Sequence, residues 1–160
     1  MRILKGKDGK EAIQWMKAAA KVALQSPCFR SQCGSVIEKN GEVIGEGFNG
    51  PPAGQTLDQC LKDGLPSKFK SDKTCCMHAE QRAIMDALVK NPDKVKGSRL
   101  YFIRLDSEGH MAKAGKPYCT ICSKMALDAG VAEFTLWHEE GICVYDTEEY
   151  NQKSFEYKGD

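Results

Sequence analysis

Cys75-Cys76-Met77-His78-Ala79-Glu80 is answered further along the chain by Pro117-Tyr118-Cys119-Thr120-Ile121-Cys122. Each segment opens an apparent helix, so a His-x-Glu and a Cys-x-x-Cys are carried to helix N-termini. His78, Cys119 and Cys122 are soft or borderline metal ligands, and Glu80 is a spare carboxylate two residues from the histidine. Three protein ligands leave the fourth corner of a tetrahedral zinc open to water, which is the catalytic rather than the structural arrangement. Zinc lowers the pKa of such a water from about 15.7 to about 7, so hydroxide becomes available at neutral pH. Helix N-termini add backbone N–H groups that receive negative charge. A lone Cys-x-x-Cys is equally a redox dithiol or half a zinc knuckle, and a lone His-x-Glu means little. The conjunction, in this order, carries the reading.

Outward from these segments the periodicities are clear. His78 to Val89 reads as a helix with Ala79, Ala83, Ile84, Ala87 and Leu88 on its buried side, ended by Asn91-Pro92-Asp93. Cys119 to Asp128 reads as another, closed by Ala129-Gly130. Arg99–Leu105 and Val131–Trp137 read as strands. Upstream, Gly34–Lys39 and Glu42–Phe48 flank Asn40-Gly41, a two-residue turn that tolerates positive φ at both positions and so predicts a hairpin. Glu11 to Gln25 predicts a helix, with Ile13, Met16, Ala20 and Leu24 beside Ala12, Ala19 and Ala23, stopped at Ser26-Pro27. Residues 49–76 and 106–116 read as loops, and a long loop in a compact domain is usually functional or tied down. Helix, hairpin, helix, strand, helix, strand implies an α/β fold, a central mixed sheet of about five strands with helices on both faces. The expected organisation is one domain over residues 1–160, with a core from about 10 to 138 and an extension, 139–160, that covers a sheet edge or makes an oligomer contact.

Composition bounds the function. The 160 residues are 41% hydrophobic and 28% charged with a net charge of +1, so no global field draws nucleic acid or an anionic membrane. Lys68, Lys70 and Lys73 form the one local basic cluster, offset by Asp63 and Asp72. Met1 to Asp8 has no apolar signal region, and no run approaches the ~18 apolar residues of a membrane span. The eight cysteines therefore read as reduced thiols and metal ligands in a cytoplasmic protein.

The His-Ala-Glu at 78–80 and the Cys-x-x-Cys at 119–122 resemble the signature of the zinc-dependent cytidine/deoxycytidylate deaminase superfamily. The resemblance runs from Ala12 to Trp137. It implies a three-layer α/β/α fold, zinc on His78, Cys119 and Cys122, and Glu80 as general acid/base. Glu80 would take a proton from water, return it to a ring nitrogen and help ammonia leave, while the backbone N–H of Ala79 would hold the pyrimidine carbonyl. The superfamily places proline directly before the first cysteine. Here Tyr118 stands there and Pro117 is displaced by one, which alters the backbone ahead of Cys119. The 106–116 loop is a second departure.

Cys28-Phe29-Arg30-Ser31-Gln32-Cys33-Gly34, Phe48-Asn49-Gly50-Pro51, Cys60 and Cys75 resemble the deoxycytidylate branch. That resemblance implies that Asn49 hydrogen-bonds substrate, the alternative being a turn residue beside Gly50. Arg30 meets a 5′-phosphate or is a surface arginine. Tyr118 and Phe48 stack on a base or simply pack. Relatives in this branch sometimes hold a second, structural zinc, for which Cys28, Cys60, Cys75 and Cys76 are available; the alternative is buried thiols acting as small hydrophobes. Cys33 and Cys143 read as core, His110 and His138 as loop residues. The implied reaction is hydrolysis of dCMP to dUMP and ammonia by a homo-oligomer acting on a small-molecule nucleotide. Alternatives are a deaminase of the same fold acting on cytidine, deoxycytidine, guanine, transfer-RNA adenosine or a pathway pyrimidine, and a non-catalytic zinc-stabilised module. Glu80 argues against the last, since a scaffold has no chemical need for it.

Overall fold

The computed structural model describes residues 1–66 and 76–158. The hairpin forms where the turn chemistry places it. Asn40 and Gly41 take φ of +53° and +80°, the paired left-handed conformation that matches strand twist. They join β2 (Cys33–Lys39) to β3 (Glu42–Phe48). β4 (Arg99–Leu105) runs antiparallel to β2, and β6 (Glu133–His138) runs parallel to β4. β7 (Gly141–Asp146) folds back on β6, and β1 (Arg2–Ile3) pairs with β7 at the edge. A two-residue β5 (Met111–Ala112) pairs with the end of β4. The mixed sheet, in the order β1-β7-β6-β4-β2-β3 with β5 beside β4, has seven strands rather than the expected five or so. β1 and β5 are too short to produce a periodic signal, because their pairing is created by their neighbours.

Helices cover both faces, as expected. α1 (Gly6–Ala23) packs Ala12, Met16, Ala19 and Val22 against Val36, Tyr101 and Ile103. The opposite face carries α2 (Ala79–Lys90), α3 (Thr120–Ala129) and α4 (Thr147–Glu156) over Ile37, Ile44, Leu100 and Phe134. Among the described residues no helix is long and apolar enough to cross a membrane. Residues 139–160, expected to be peripheral, supply β7 between β1 and β6 and the whole of α4. The Tyr150 ring of α4 stacks on Phe134 at 4.1 Å, and Ser123 Oγ donates to Asn151 Oδ1 at 2.8 Å, fastening α4 to α3.

Ile13, Leu24 and Leu88 are exposed, against expectation. The helices approach the sheet so closely that small residues such as Ala12, Ala19, Ala83 and Ala87 make up much of the contact stripe, and flanking long side chains are left in water. Glycine permits that approach. A Cβ on Gly34 would lie 2.1 Å from the Ala19 carbonyl oxygen of α1, and one on Gly47 would lie 2.5 Å from the Ala79 oxygen of α2. Backbone atoms cannot rotate aside. Gly34→Ala is therefore expected to destabilise the fold by about 3 kcal/mol, the upper range for overpacking. Gly64→Ala, where nothing lies within 4 Å, is expected to stay within about 0.5 kcal/mol. Equal urea midpoints for the two variants would refute the close packing.

Candidate active site

Two helix starts meet on one side of the sheet. His78 is the N-cap of α2 and Cys119 the N-cap of α3, with Cys122 in the first turn of α3. The Gln81 side chain fixes the start of α2 by accepting from the His78 N–H at 3.0 Å. The Cys119 sulfur accepts from the Cys122 N–H at 3.4 Å. These local bonds satisfy N-terminal amides that a helix leaves unpaired and at the same time orient the ligand atoms. His78 Nδ1 lies 3.2 Å from each sulfur, and the sulfurs are 3.1 Å apart. Four-coordinate zinc places neighbouring S and N ligands about 3.6–3.8 Å apart. The trio thus fits the ion by opening about half an ångström, and its donor set is one zinc favours.

The three groups shift one another's protonation. The Cys119 thiol is held down to about 4, chiefly by the hydrogen bond with Cys122 and then by that with His78. Cys122 is pushed up by the same bond and by burial, and His78 is raised by Cys119. Glu80 is buried in the first turn of α2, with its carboxyl within hydrogen-bonding reach of Cys122. Desolvation lifts its pKa to about 7, opposed by His78. A divalent cation at the trio would pull it back toward the carboxylate.

Above the trio lies a cavity of about 260 Å³, bounded by Asn49, His78, Ala79, Glu80, Phe102 and Tyr118 among others. Its volume is just under the usual ~300–1,000 Å³ of small-molecule sites, a size for one compact ligand. Its walls are tied together. Gly50 and Met77 exchange backbone hydrogen bonds of 3.2 and 2.9 Å, so the residue after Asn49 is bound to the residue before His78. Arg82, one residue beyond Gln81, donates to the carbonyls of Phe48 and Gly50 at 3.2 and 3.1 Å.

Asn49 is a brace as well as a wall. Its Oδ1 accepts from Ser26 Oγ at 2.7 Å and Cys33 N–H at 2.8 Å, and Nδ2 donates to the Ser31 carbonyl at 2.9 Å. Arg30 lines the cavity but is engaged by Asp63, Nε to Oδ1 at 3.1 Å. Tyr118 stands on the rim with its ring against Tyr157, centroids 5.9 Å apart. Phe48 sits under the Arg82 guanidinium at 5.1 Å and away from this cavity, so it packs rather than meeting a base.

Cys28, Cys60 and Cys76 line a neighbouring void of about 20 Å³, and Cys75 lies outside the described residues, as do Lys68, Lys70, Asp72 and Lys73. Among the described residues His78, Cys119 and Cys122 are the one group of three potential ligands gathered within 4.8 Å, and Cys28, Cys33, Cys60, Cys119, Cys122 and Cys143 are free thiols. Cys143 is core, as expected, whereas Cys33 is half-buried on the cavity wall with its thiol raised to about 11 by burial. His110 is an exposed loop residue, but His138 is not. It ends β6 in the interior, donating from Nδ1 to the Ala114 carbonyl at 3.2 Å and accepting from the Tyr145 hydroxyl at 2.9 Å. Phe102, Arg104 and Lys62 also line the cavity. They escape sequence reasoning because no motif holds them and only strand pairing and loop closure bring them there.

The chain is similar to known proteins in sequence and in fold. The deoxycytidylate deaminase of Saccharomyces cerevisiae is 36% identical over 78 residues, which are 46% of this chain but 24% of that protein, so the chain spans about a quarter of its length. The deoxycytidylate deaminase of Mycobacterium phage D29 is 31% identical over 121 residues, 71% of this chain and 83% of the phage protein. The crystal structure of dCMP deaminase from cyanophage S-TIM5 in complex with dCMP and dUMP superposes with a TM-score of 0.56 at 30% identity, covering 82% of both chains. A family model described as the cytidine and deoxycytidylate deaminase zinc-binding region matches residues 10–137, the span that carries both helix starts. On that match the chain belongs to the cytidine and deoxycytidylate deaminase family.

Proposed function

We propose that this chain hydrolyses dCMP to dUMP and ammonia. The observation that carries the reading is a buried carboxylate, Glu80, facing three convergent zinc-type ligands at the floor of a ligand-sized cavity. The phage relatives, named for this reaction and matched over most of their length, support the choice of nucleotide.

Zinc held by His78, Cys119 and Cys122 would supply Lewis acidity that makes hydroxide available from water near neutral pH. The chain's own residues do the rest. Glu80 accepts the proton that the attacking water gives up and passes it to the ring nitrogen beside the amine-bearing carbon. It then carries the water's second proton to the departing amine, so one water is consumed and one ammonia leaves. Such a group works best near its operating pH and within hydrogen-bonding reach. Ala79, the first residue of α2 and fully buried in the cavity wall, offers its backbone N–H to the pyrimidine carbonyl. The Asn49 amide has a second N–H beyond the one given to Ser31 and turns it toward the sugar. Packed walls exclude bulk water and orient the base.

One zinc per chain is expected by metal analysis. Two equivalents would add a structural ion on the thiols around Cys28, Cys60 and Cys76. The free thiols of Cys28, Cys33, Cys60 and Cys143 suit a reducing, cytoplasmic compartment. We read the working form as a homo-oligomer, which mass measurement in solution tests. The activity test is ammonia release by the zinc form from dCMP, CMP, deoxycytidine, cytidine, cytosine, guanine and adenosine. Turnover is expected for dCMP. Turnover of guanine or adenosine alone would overturn the reading.

A further inference from the structure

The lining of the active-site cavity is unevenly charged. Its basic side chains are Arg30, Lys62 and Arg104, and its acidic one is Glu80, which is buried beside the ligand trio. The charged side chains lining the cavity besides Glu80 are therefore all basic. Arg30 is already engaged by Asp63. Arg104 is not engaged: among the described residues its guanidinium makes no hydrogen bond and no ion pair, although it stands near enough to Cys33 to favour the thiolate.

The backbone holds Arg104 in place from both sides. In the sheet it is the partner of Cys33 on β2 and of Ala112 on β5. β5 comes from the 106–116 loop, so the position is built by the folding back of that loop onto the end of β4. Side chains alternate along a strand. Leu100 and Phe102 pack into the core beneath α2 and α3, so Arg104, two residues on, projects from that same face where the core ends and the cavity opens. Cys33 links it to Asn49 through the 2.8 Å bond from its N–H. Asn49 just past the end of β3, Cys33 on β2 and Arg104 on β4 thus stand in a row at the cavity's edge. A guanidinium fixed at its root and with five donors uncommitted suits a tetrahedral oxyanion approached two oxygens at a time.

We propose that Arg104 binds the 5′-phosphate of the substrate and sets the preference for nucleotide over nucleoside. The proposal rests on the dCMP reading for the identity of the base. Its test is chosen to separate the two. The zinc-loaded protein and its Arg104→Gln and Arg104→Lys variants are titrated calorimetrically with dUMP and with deoxyuridine, which differ only in the phosphate. Turnover of dCMP and deoxycytidine is measured alongside. Arg104→Gln is expected to weaken dUMP by about 10–100-fold, the worth of a charge-assisted pair, and to leave deoxyuridine unchanged. Arg104→Lys is expected to fall between, retaining charge but losing the fork. An unchanged dUMP affinity in Arg104→Gln overturns the proposal. So does equal weakening of both ligands, which would make Arg104 a structural part of the wall. If the wild type binds dUMP more tightly than deoxyuridine, and Arg104→Gln removes the difference, yet no ammonia is released from dCMP, the deamination reading fails and the phosphate site stands.

Discussion

Glu80→Gln is expected to lower kcat on dCMP by about 10²–10⁴-fold, the usual worth of a positioned acid–base group, with zinc content unchanged. Glutamine keeps the volume and shape of the side chain, so the buried position in the first turn of α2 remains filled. What it loses is the capacity to accept a proton from one partner and deliver it to another. Affinity for dUMP is expected to change far less than kcat, because the carboxylate acts on atoms in motion and not on the resting ligand. Ammonia release, calorimetry with dUMP and metal analysis on the same preparation check each part. Wild-type turnover in the variant would remove Glu80 from the mechanism. Loss of zinc together with activity would instead make Glu80 a ligand.

Cys122→Ala, or chelation of the wild type, is expected to take activity below detection. Without the metal the pKa of water returns to about 15.7 from about 7, and no other group in the cavity makes up that difference. Cys122 is fully buried, and its sulfur is one of three atoms joining the starts of α2 and α3. The same change is therefore expected to lower Tm as well as activity, because metal binding here is coupled to the packing of two helices. Readding zinc to the chelated wild type is expected to restore both, and adding it to Cys122→Ala neither. Full turnover by metal-free protein would sink the zinc chemistry. A variant holding one equivalent at wild-type affinity would sink the ligand assignment.

The parts of this molecule legible in sequence are those in which neighbouring residues determine one another. Asn40-Gly41 needs only its own φ angles to turn the chain, and the turn formed. His78, Glu80, Cys119 and Cys122 lie within short segments whose helical start orients them, so their placement at two helix starts could be read from spacing. The illegible parts depend on partners distant in sequence. β5 exists because the end of β4 offers an unpaired edge beyond β6. Arg104 is an ordinary strand residue until β2 and the 106–116 loop close around it. His138 looked like a loop residue because its partners, Ala114 and Tyr145, come from a different loop and strand. Residues 139–160 are rich in charge, which concealed that Tyr145 and Tyr150 sit in the main core. The exposed Leu88 and Leu24 show the converse. Periodicity finds the apolar face of a helix, but the width of the stripe that is buried is decided by how near the neighbouring backbone comes.

The approach of α2 to the sheet, permitted by Gly45 and Gly47, bears on how this scaffold could be repurposed. His78 and Glu80 ride on a helix whose height is set by main-chain atoms, so side-chain changes elsewhere in the interior scarcely shift them. A library that randomises Arg30, Arg104, Ala114 and Tyr118 around the opening would vary which molecules are admitted while the reacting groups keep their places. Selection for a new substrate would then enrich substitutions at the opening and leave the two glycines intact. Substrate range and chemical competence are separately adjustable in such an architecture.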